Sequence, residues 1–369
     1  MKPTLVTGAN GHLGYNLVRL LVARGEPVRA MTRISADVAP LRRLGVELVH
    51  GDVLDAAAVD RAVAGTGRVY HTAAGFLMWS KDPERAIIAS SVVGTRHVMQ
   101  AAARAGVDKV LYVSTGGTVG FARRPEDRLT EASYNHAPHT LYFKGKIAAE
   151  REAFAIGAAQ KLPVTAINPG FILGPRFWKP SESTRQVVDI LNQGLPLYFD
   201  GGFGTVDVED VAEGAMRAMD HGRDGERYIV SGDNVTVKGL ADLVAELAGV
   251  PPPRWRAPLP VFRAIATVAE LVGRATGRRP LIDRAQVDEF GGTYAYFDCS
   301  KAQHELGYRW RDARTTVART IAWALSHGFV SEARRAKLRP IATLPVVDED
   351  LPLRPARPAA AEPRAHEIP

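Results

Sequence analysis

A glycine-rich turn near the start of the chain, between a short apolar run and an amphipathic helical pattern, restricts the fold most. The run is Thr4 to Thr7, the helical pattern extends from about His12 to Arg24, and residues 7–14 between them read T-G-A-N-G-H-L-G. Such glycines let the backbone turn sharply and approach a pyrophosphate, while the helix N-terminus offers free N–H groups to an anion. A purely structural turn is the alternative, but the flanking strand and helix favour a dinucleotide site.

The first half of the chain alternates apolar runs with helical patterns, as is typical of a parallel sheet covered by helices on both faces. The further runs lie at 28–32, 46–49, 69–72, 110–114 and 164–168. We therefore expect an α/β fold: a Rossmann-type doubly wound parallel sheet of roughly six strands, with a smaller, mainly helical C-terminal substrate lobe.

The domain limits follow from the positions at which the alternation of apolar runs and helical patterns weakens and then resumes. We expect the NAD(P)-binding Rossmann domain to comprise residues 1–175 and, after an interruption, a second segment at about 205–232. A helix predicted at 237–248, between the cap Thr236 and the stop Gly249, belongs to a substrate-binding lobe of 176–204 and 233–335. Residues 336–369 are rich in Pro and Ala and predict a flexible tail.

Charge and cysteine content exclude several classes of protein. The 369 residues carry 47 basic and 40 acidic side chains, a net +7 that suits a phosphorylated ligand but is too dilute to require nucleic acid. One cysteine, Cys299, excludes an internal disulfide framework, and we expect no metal site. No stretch predicts a signal peptide or a transmembrane segment, so we expect a cytoplasmic protein. The apolar stretch Leu259 to Gly273 favours packing within a lobe and leaves a membrane-facing or dimer-facing helix open.

The end of the second strand normally distinguishes the two nicotinamide cofactors, because an acidic residue there binds the ribose 2′-hydroxyl and repels a 2′-phosphate. This chain has Arg33 at that place. A guanidinium ~4 Å from a phosphate contributes on the order of 4 kcal/mol before desolvation. NADP(H) is therefore favoured, with NAD(H) as the alternative. Asp52 and Val53 follow the third strand and are placed to bracket an adenine, or else form a structural turn.

A Y-x-x-x-K spacing joins Tyr142 and Lys146 on one face of a predicted helix. A cation near the phenol would lower its pKa and make Tyr142 a usable general acid. Upstream, Ser114 and Thr115 follow the fifth strand, at the sheet edge where ligands bind. Their hydroxyls point to opposite faces, so only one is expected to hold a substrate carbonyl.

Taken together, these motifs resemble the extended short-chain dehydrogenase/reductase superfamily over roughly residues 1 to 325, in its NAD-dependent epimerase/dehydratase family. Further motifs resemble the branch that holds dihydroflavonol 4-reductases and the proteins called hopanoid-associated sugar epimerases. These are H-T-A-A at 71–74 followed by Met78 and Trp79, N-P-G-F-I-L-G-P at 168–175, V-D-V-E-D-V-A at 206–212, G-E-R-Y at 225–228 and F-D-C-S-K-A at 297–302.

The resemblance implies a catalytic set of Thr115, Tyr142 and Lys146, with Tyr142 as proton donor or acceptor and Lys146 as its partner and that of the nicotinamide ribose. The implied cofactor contacts are Gly8, Asn10, Gly11, His12, Leu13, Gly14, Arg33, Asp52, Val53, Thr72, Ala73, Ala74, Tyr142, Lys146, Pro169 and Gly170. One departure is Ser91, which stands where the branch usually has an asparagine that holds a relay water.

We therefore predict an NADPH-dependent reductase that converts a ketone or aldehyde to an alcohol. Phe76, Met78, Trp79, Phe177 and Trp178 fall in segments expected to wall the substrate site and favour an apolar or aromatic small molecule, and Arg176 is a candidate for binding an acidic group. The alternatives are a nucleotide-sugar epimerase or dehydratase, a 3-beta-hydroxysteroid-type dehydrogenase, and a non-catalytic dinucleotide-binding sensor or scaffold. A homodimer and peripheral attachment to a membrane remain open.

Overall fold

The computed structural model describes residues 2–73, 84–194, 197–276, 283–339, 344–345 and 347, with the backbone alone at 84–86 and 274. Four residues singled out above, Ala74, Phe76, Met78 and Trp79, lie outside the described residues, as does most of the predicted tail.

Seven parallel strands form the main sheet. They are β1 (Thr4–Thr7), β2 (Val28–Thr32), β3 (Glu47–His50), β4 (Arg68–His71), β5 (Lys109–Val113), β6 (Val164–Pro169) and, after three strands that lie elsewhere, β10 (Arg227–Val230). The spatial order is β10-β6-β5-β4-β1-β2-β3. Six of the strands are almost continuously buried, as expected when helices cover both faces, and only the edge strand β3 is half-exposed along its length. The predicted doubly wound α/β fold is confirmed.

Helices that connect these strands cover both faces. They are α1 (His12–Ala23), α2 (Ala39–Arg43), α3 (Ala56–Val63), α4 (Ser90–Arg104), α5 (Gly116–Val119), α6 (Leu141–Gln160) and, later in the chain, α8 (Val208–His221). A π-helical segment, Glu84–Ala89, leads into α4. One hydrophobic core lies between α1, α8 and one face of the sheet, and it includes side chains such as Leu17 and Val211. The other hydrophobic core lies between α3, α4, α6 and the opposite face of the sheet, and it includes side chains such as Val59, Met99 and Ala153.

A smaller part of the molecule sits beyond the carboxyl ends of the strands. Its helices are α7 (Glu182–Gln193), α9 (Val237–Ala248), α10 (Leu259–Thr276), α11 (Arg284–Phe290), α13 (Ala313–Ser326) and α14 (Glu332–Arg335). Helix α12 (Ser300–Leu306) instead packs against α8 and β10 in the core of the main sheet. Strands β7 (Phe171–Leu173), β9 (Gly202–Asp207), β11 (Asp233–Thr236) and β13 (Tyr294–Ala295) form a second sheet, and β8 (Leu197–Tyr198) pairs with β12 (Trp255–Arg256).

Two details of this part bear on the sequence predictions. Helix α9 has the predicted limits, because the Thr236 hydroxyl accepts the N–H of Gly239 and Gly249 ends the helix in a left-handed conformation. The stretch expected to return to the Rossmann domain at about 205–232 begins within β9, which joins the second sheet and not the main one. None of the helices in the described residues is both long and apolar enough to cross a bilayer.

Candidate active site

The glycine turn has the shape that a pyrophosphate requires. Gly8 has a φ of +68°, and a Cβ atom there would lie 2.8 Å from the Cα atom of Ala73. A Cβ atom on Gly14 would lie 2.2 Å from the carbonyl oxygen of Gly8, so neither position admits a larger residue without a shift. Gly11 caps α1 without a side-chain hydrogen bond, which leaves the first-turn N–H groups available to an anion. The turn therefore fits the diphosphate of a dinucleotide.

Side chains within the turn serve packing more than binding. The Nε2 atom of His12 lies 3.0 Å from the carbonyl oxygen of Pro175 and ties the turn to the segment after β7. Leu13 packs against the core beneath α1, and Asn10 is half-buried. These three residues can therefore contribute to a phosphate site mainly through backbone N–H groups.

Arg33 lies just beyond β2 with an exposed side chain, and no ion pair to it occurs within the described residues. Asp52 is also exposed, and its carboxylate accepts the N–H of Leu54 at 3.0 Å, which is the structural turn considered above. Val53 is half-buried against Gly94, where a Cβ atom would lie 2.7 Å from its side chain. The three residues thus lie at the ends of β2 and β3, on the edge of the sheet that carries the glycine turn.

The end of β4 is bound to the end of β1. Thr72 donates its hydroxyl to the carbonyl oxygen of Thr7 at 2.6 Å, and the N–H of Ala73 donates to the Thr7 hydroxyl at 3.2 Å. The ring of His71 bridges the hydroxyls of Thr7 and Thr95 at 2.8 and 3.1 Å. Burial, with a smaller effect of the Lys146 charge, lowers the pKa of His71 to about 3. His71 is therefore neutral and serves to join strands, not to transfer protons at neutral pH.

Thr115, Tyr142 and Lys146 come together at the carboxyl end of β5. Thr115 caps α5, and its side chain is hydrogen-bonded to that of Tyr142. Tyr142 lies in the first turn of α6, whose start is capped by the hydroxyl of Thr140. One turn later, the Nζ atom of Lys146 donates to the carbonyl oxygen of Val113 at 2.7 Å. Two turns of helix and the last residues of one strand thus hold the three side chains in one place.

The electrostatics of this group differ from the expectation of an acidified phenol. Burial raises the pKa of Tyr142, the hydrogen bond with Thr115 opposes the rise, and the charge of Glu182 adds to it. Burial also lowers the pKa of Lys146 to about 8, against the attraction of Glu150. The phenol pKa is raised because desolvation by burial disfavours the phenolate, and this is the largest of the effects on Tyr142.

Glu150 is a site residue that the sequence analysis missed. It is 1% exposed and lies one helical turn after Lys146. Its carboxylate accepts hydrogen bonds from the side chains of Thr118 at 2.9 Å, Asn168 at 2.8 Å and Arg227 at 2.9 Å. The available signal in the sequence was an acidic residue four positions after Lys146, which places it on the same buried face of the helix. The network holds the Glu150 carboxylate in place one helical turn from Lys146.

Ser91, the departure from the family pattern, lies on α4 against α6. A Cβ atom added to Gly145 would lie 3.5 Å from the Cβ atom of Ser91. The Ser91 residue is 1% exposed. Its hydroxyl has no hydrogen-bond partner in the part of the chain that the structure describes. A buried hydroxyl of this kind is able to hold a water beside the Tyr142–Lys146 turn.

A cavity of about 430 Å³ opens beside Thr115, Pro169 and Gly170. Eight of the twelve phenylalanines of the chain line it, and the sequence analysis named none of the eight as a wall of the substrate site: Phe121, Phe143, Phe171, Phe199, Phe203, Phe262, Phe290 and Phe297. The opposite wall is polar and comes largely from α7: Glu182, Arg185, Gln186, Asp189 and Gln193. The cavity size is that of a small-molecule site.

Three residues expected at the substrate site lie elsewhere. Phe177 is 1% exposed in the core of α7, α9 and α13, and Trp178 packs edge-on against Tyr15 and Trp323. Arg176 is buried and forms an ion pair with Glu209. These side chains hold the two parts of the molecule together, because the chain after β7 turns under the glycine turn before it reaches the cavity.

Comparisons with known proteins agree with this fold. The model of the "NAD dependent epimerase/dehydratase family" matches residues 4–231. The chain is 35% identical over 329 residues to "Sterol demethylase protein B" of Methylococcus capsulatus, covering 89% of this chain and 99% of the relative. It is 31% identical to a Synechocystis protein named "Putative dihydroflavonol 4-reductase", covering 88% and 95%. The solved structure of gox2253 is 32% identical, with a TM-score of 0.78, and covers 90% of this chain and 100% of that one.

Proposed function

The chain belongs to the NAD-dependent epimerase/dehydratase family, and within this family of enzymes acting on CH–OH and C=O groups we propose that it is an NADPH-dependent carbonyl reductase of an apolar or aromatic small molecule. The observation that carries the proposal is that the side chains of Thr115, Tyr142 and Lys146 meet at the end of β5, where Thr115 lines a cavity rich in phenylalanine.

The catalytic set can bind a carbonyl oxygen and protonate it. A bound nicotinamide dinucleotide would supply the hydride. Thr115 orients the substrate oxygen toward the phenol, and Tyr142 gives that oxygen its proton. Lys146, held by Val113, keeps a positive charge one helical turn from the phenol and favours the negative charge that the proton leaves behind.

The raised pKa of Tyr142 supports the reducing direction. A phenol that stays protonated at neutral pH is ready to donate, and the oxygen of a reduced carbonyl is a far stronger base than a phenolate. Oxidation, as in a steroid dehydrogenase, would instead require Tyr142 to begin as the phenolate. Burial therefore supports a reductase over the oxidising alternative.

Arg33 supports NADPH as the cofactor. Its side chain is exposed at the end of β2, where the 2′-substituent of the ribose is bound in this fold, and it has no ion pair within the described residues. An acidic side chain, which would favour NADH, is absent from that position.

The aromatic walls support a substrate with an apolar body. Eight phenylalanines provide contact surface but few hydrogen bonds, and a bare sugar would leave its hydroxyls unpaired against them. The relative named as a sterol demethylase protein is consistent with a hydrophobic substrate.

Nucleotide-sugar epimerisation or dehydration is the second candidate, and the polar wall on α7 favours it. Glu182, Arg185 and Gln186 could bind hydroxyl or phosphate groups. Such a reaction returns the hydride to the substrate, so it consumes no net NADPH. Steady NADPH consumption with a ketone therefore separates the two candidates.

The test is a screen of ketones, flavanones, steroids, oxoacyl compounds and nucleotide sugars with NADPH, followed by the Tyr142→Phe variant on the best substrate. Loss of the general acid should lower kcat by about 10²- to 10⁴-fold. Tyr294→Phe is the matched control, because Tyr294 is half-buried and does not line the cavity, and it should keep kcat within a few-fold. Unchanged turnover of Tyr142→Phe would refute the assignment.

A further inference from the structure

Exposed apolar side chains are concentrated on one surface of the molecule. Within the described residues, eight large hydrophobic side chains are exposed, and six of them are Trp255 or lie on α10: Trp255, Val261, Ile265, Val268, Leu271 and Val272. Of the remaining two, Ile34 lies between β2 and α2, and Leu141 is the first residue of α6. Val268 and Leu271 are 61% and 59% exposed, which is unusual for apolar side chains in the middle of a helix.

The apolar residues of α10 form a stripe. Val261, Ile265, Val268 and Val272 are spaced by four, three and four residues, so they share one face of the helix. The helix also packs inward, because Ala266 is fully buried and Phe262 contacts Phe199 and lines the cavity. One helix therefore presents an apolar face outward and a wall of the cavity inward.

The charges near this apolar face indicate which kind of partner can bind to it. By sequence, residues 251–284 contain seven arginines and two acidic residues, although the whole chain has a net charge of only +7. Ion pairs with Asp200 and Asp288 neutralise Arg256 and Arg263, and the exposed Arg254 and Arg284 have no ion pair in the described part of the chain. Two copies facing each other across this surface would repel, whereas an anionic lipid surface would attract it.

We propose that α10 and Trp255 form a docking surface for the face of an anionic lipid bilayer. The helix lies in the plane of the interface, with its apolar stripe among the headgroups and the exposed Arg254 and Arg284 near lipid phosphates. An apolar compound dissolved in the bilayer would then have a short route past Phe262 into the cavity. The docking itself does not depend on the proposed reductase activity.

Vesicle flotation with the full chain tests the proposal. The protein should float with vesicles of phosphatidylcholine and phosphatidylglycerol, bind phosphatidylcholine alone at least ten-fold less, and be released by salt. The double variant Val268→Asp/Leu271→Asp should bind the anionic vesicles at least ten-fold less. Ile34→Asp is the matched control, since Ile34 is 86% exposed and lies between β2 and α2, outside α10, and it should bind as the wild type does.

A second measurement needs no charged substitution. Brominated phospholipid in the anionic vesicles should quench tryptophan emission in the wild type, and Trp255→Phe should abolish that quenching. The proposal is overturned if the wild type does not float at low salt, or if the double variant floats equally well. It is also overturned if size-exclusion chromatography with light scattering shows a dimer that the double variant alone disrupts. None of these readouts involves turnover, so a failed reductase assay leaves the result intact.

Discussion

The charge on Lys146 depends on Glu150, so replacing that carboxylate should move the pH dependence of turnover. Lysine is charged below its pKa, and the pKa of Lys146 is lowered by burial to about 8 while Glu150 opposes the fall. The wild-type rate should therefore decline as the pH rises through about 8. Glu150→Gln keeps the shape of the side chain and, through its amide oxygen, the capacity to accept hydrogen bonds from Thr118 and Asn168. It removes the charge and the hydrogen bond accepted from Arg227.

The size of the shift follows from the helix. Side chains one turn apart lie ~6 Å from each other, and at an effective dielectric of ~20 two unit charges at that distance interact by about 3 kcal/mol, equivalent to about two pKa units. The pKa of Lys146 in Glu150→Gln would then fall to about 6. At pH 7 the charged fraction would drop from about nine-tenths to about one-tenth. Turnover at that pH should fall about ten-fold and recover near pH 5.

The assay is NADPH consumption from pH 5 to 9 with the best carbonyl compound from the screen. Glu152→Gln is the matched control: Glu152 lies on the same helix, pairs with the half-exposed Arg96, and should leave the profile unchanged. Removing the Glu150 charge leaves Arg227 with carbonyl partners only, so the free energy of unfolding should fall by about 1 to 3 kcal/mol. A folded Glu150→Gln variant with the wild-type pH midpoint would refute the coupling.

Two further predictions concern cofactor binding. Arg33→Asp should weaken NADPH binding by at least about a hundred-fold and make NADH the tighter ligand, because ~4 kcal/mol of attraction becomes repulsion. Fluorescence titration measures both affinities, and unchanged values would show that Arg33 does not contact the cofactor. Gly8→Ala should cost about 1 to 3 kcal/mol more in unfolding free energy than Gly25→Ala and should abolish dinucleotide binding. Both glycines have positive φ, but only at Gly8 would a Cβ atom meet the backbone of Ala73, so equal losses would contradict that contact.

Much of the fold was predictable because it rests on local chemistry. The apolar runs that became β1, β2 and β6, the glycine turn after β1, and the limits of α9 all depend on residues within a few positions of each other. The Tyr142–Lys146 spacing is also local, since one helical turn brings these residues to the same face.

The rest of the site depends on residues far apart in the chain. The phenylalanines that line the cavity lie between positions 121 and 297, and the partners of Glu150 lie on α5, β6 and β10. Periodicity shows that such residues are apolar or buried, but not which of them meet. The same limit explains Phe177 and Arg176, which have the composition of a binding segment and yet pack in the interior.

From the order of its residues alone, this chain specifies a parallel sheet with a phosphate-binding turn and a tyrosine–lysine pair, because each is set by short-range backbone geometry and spacing. Folding in three dimensions decided how the phenol is solvated, which side chains surround the substrate, and that the apolar stripe of α10 faces outward. Those properties depend on what each group is buried against, and burial is a consequence of packing between distant segments.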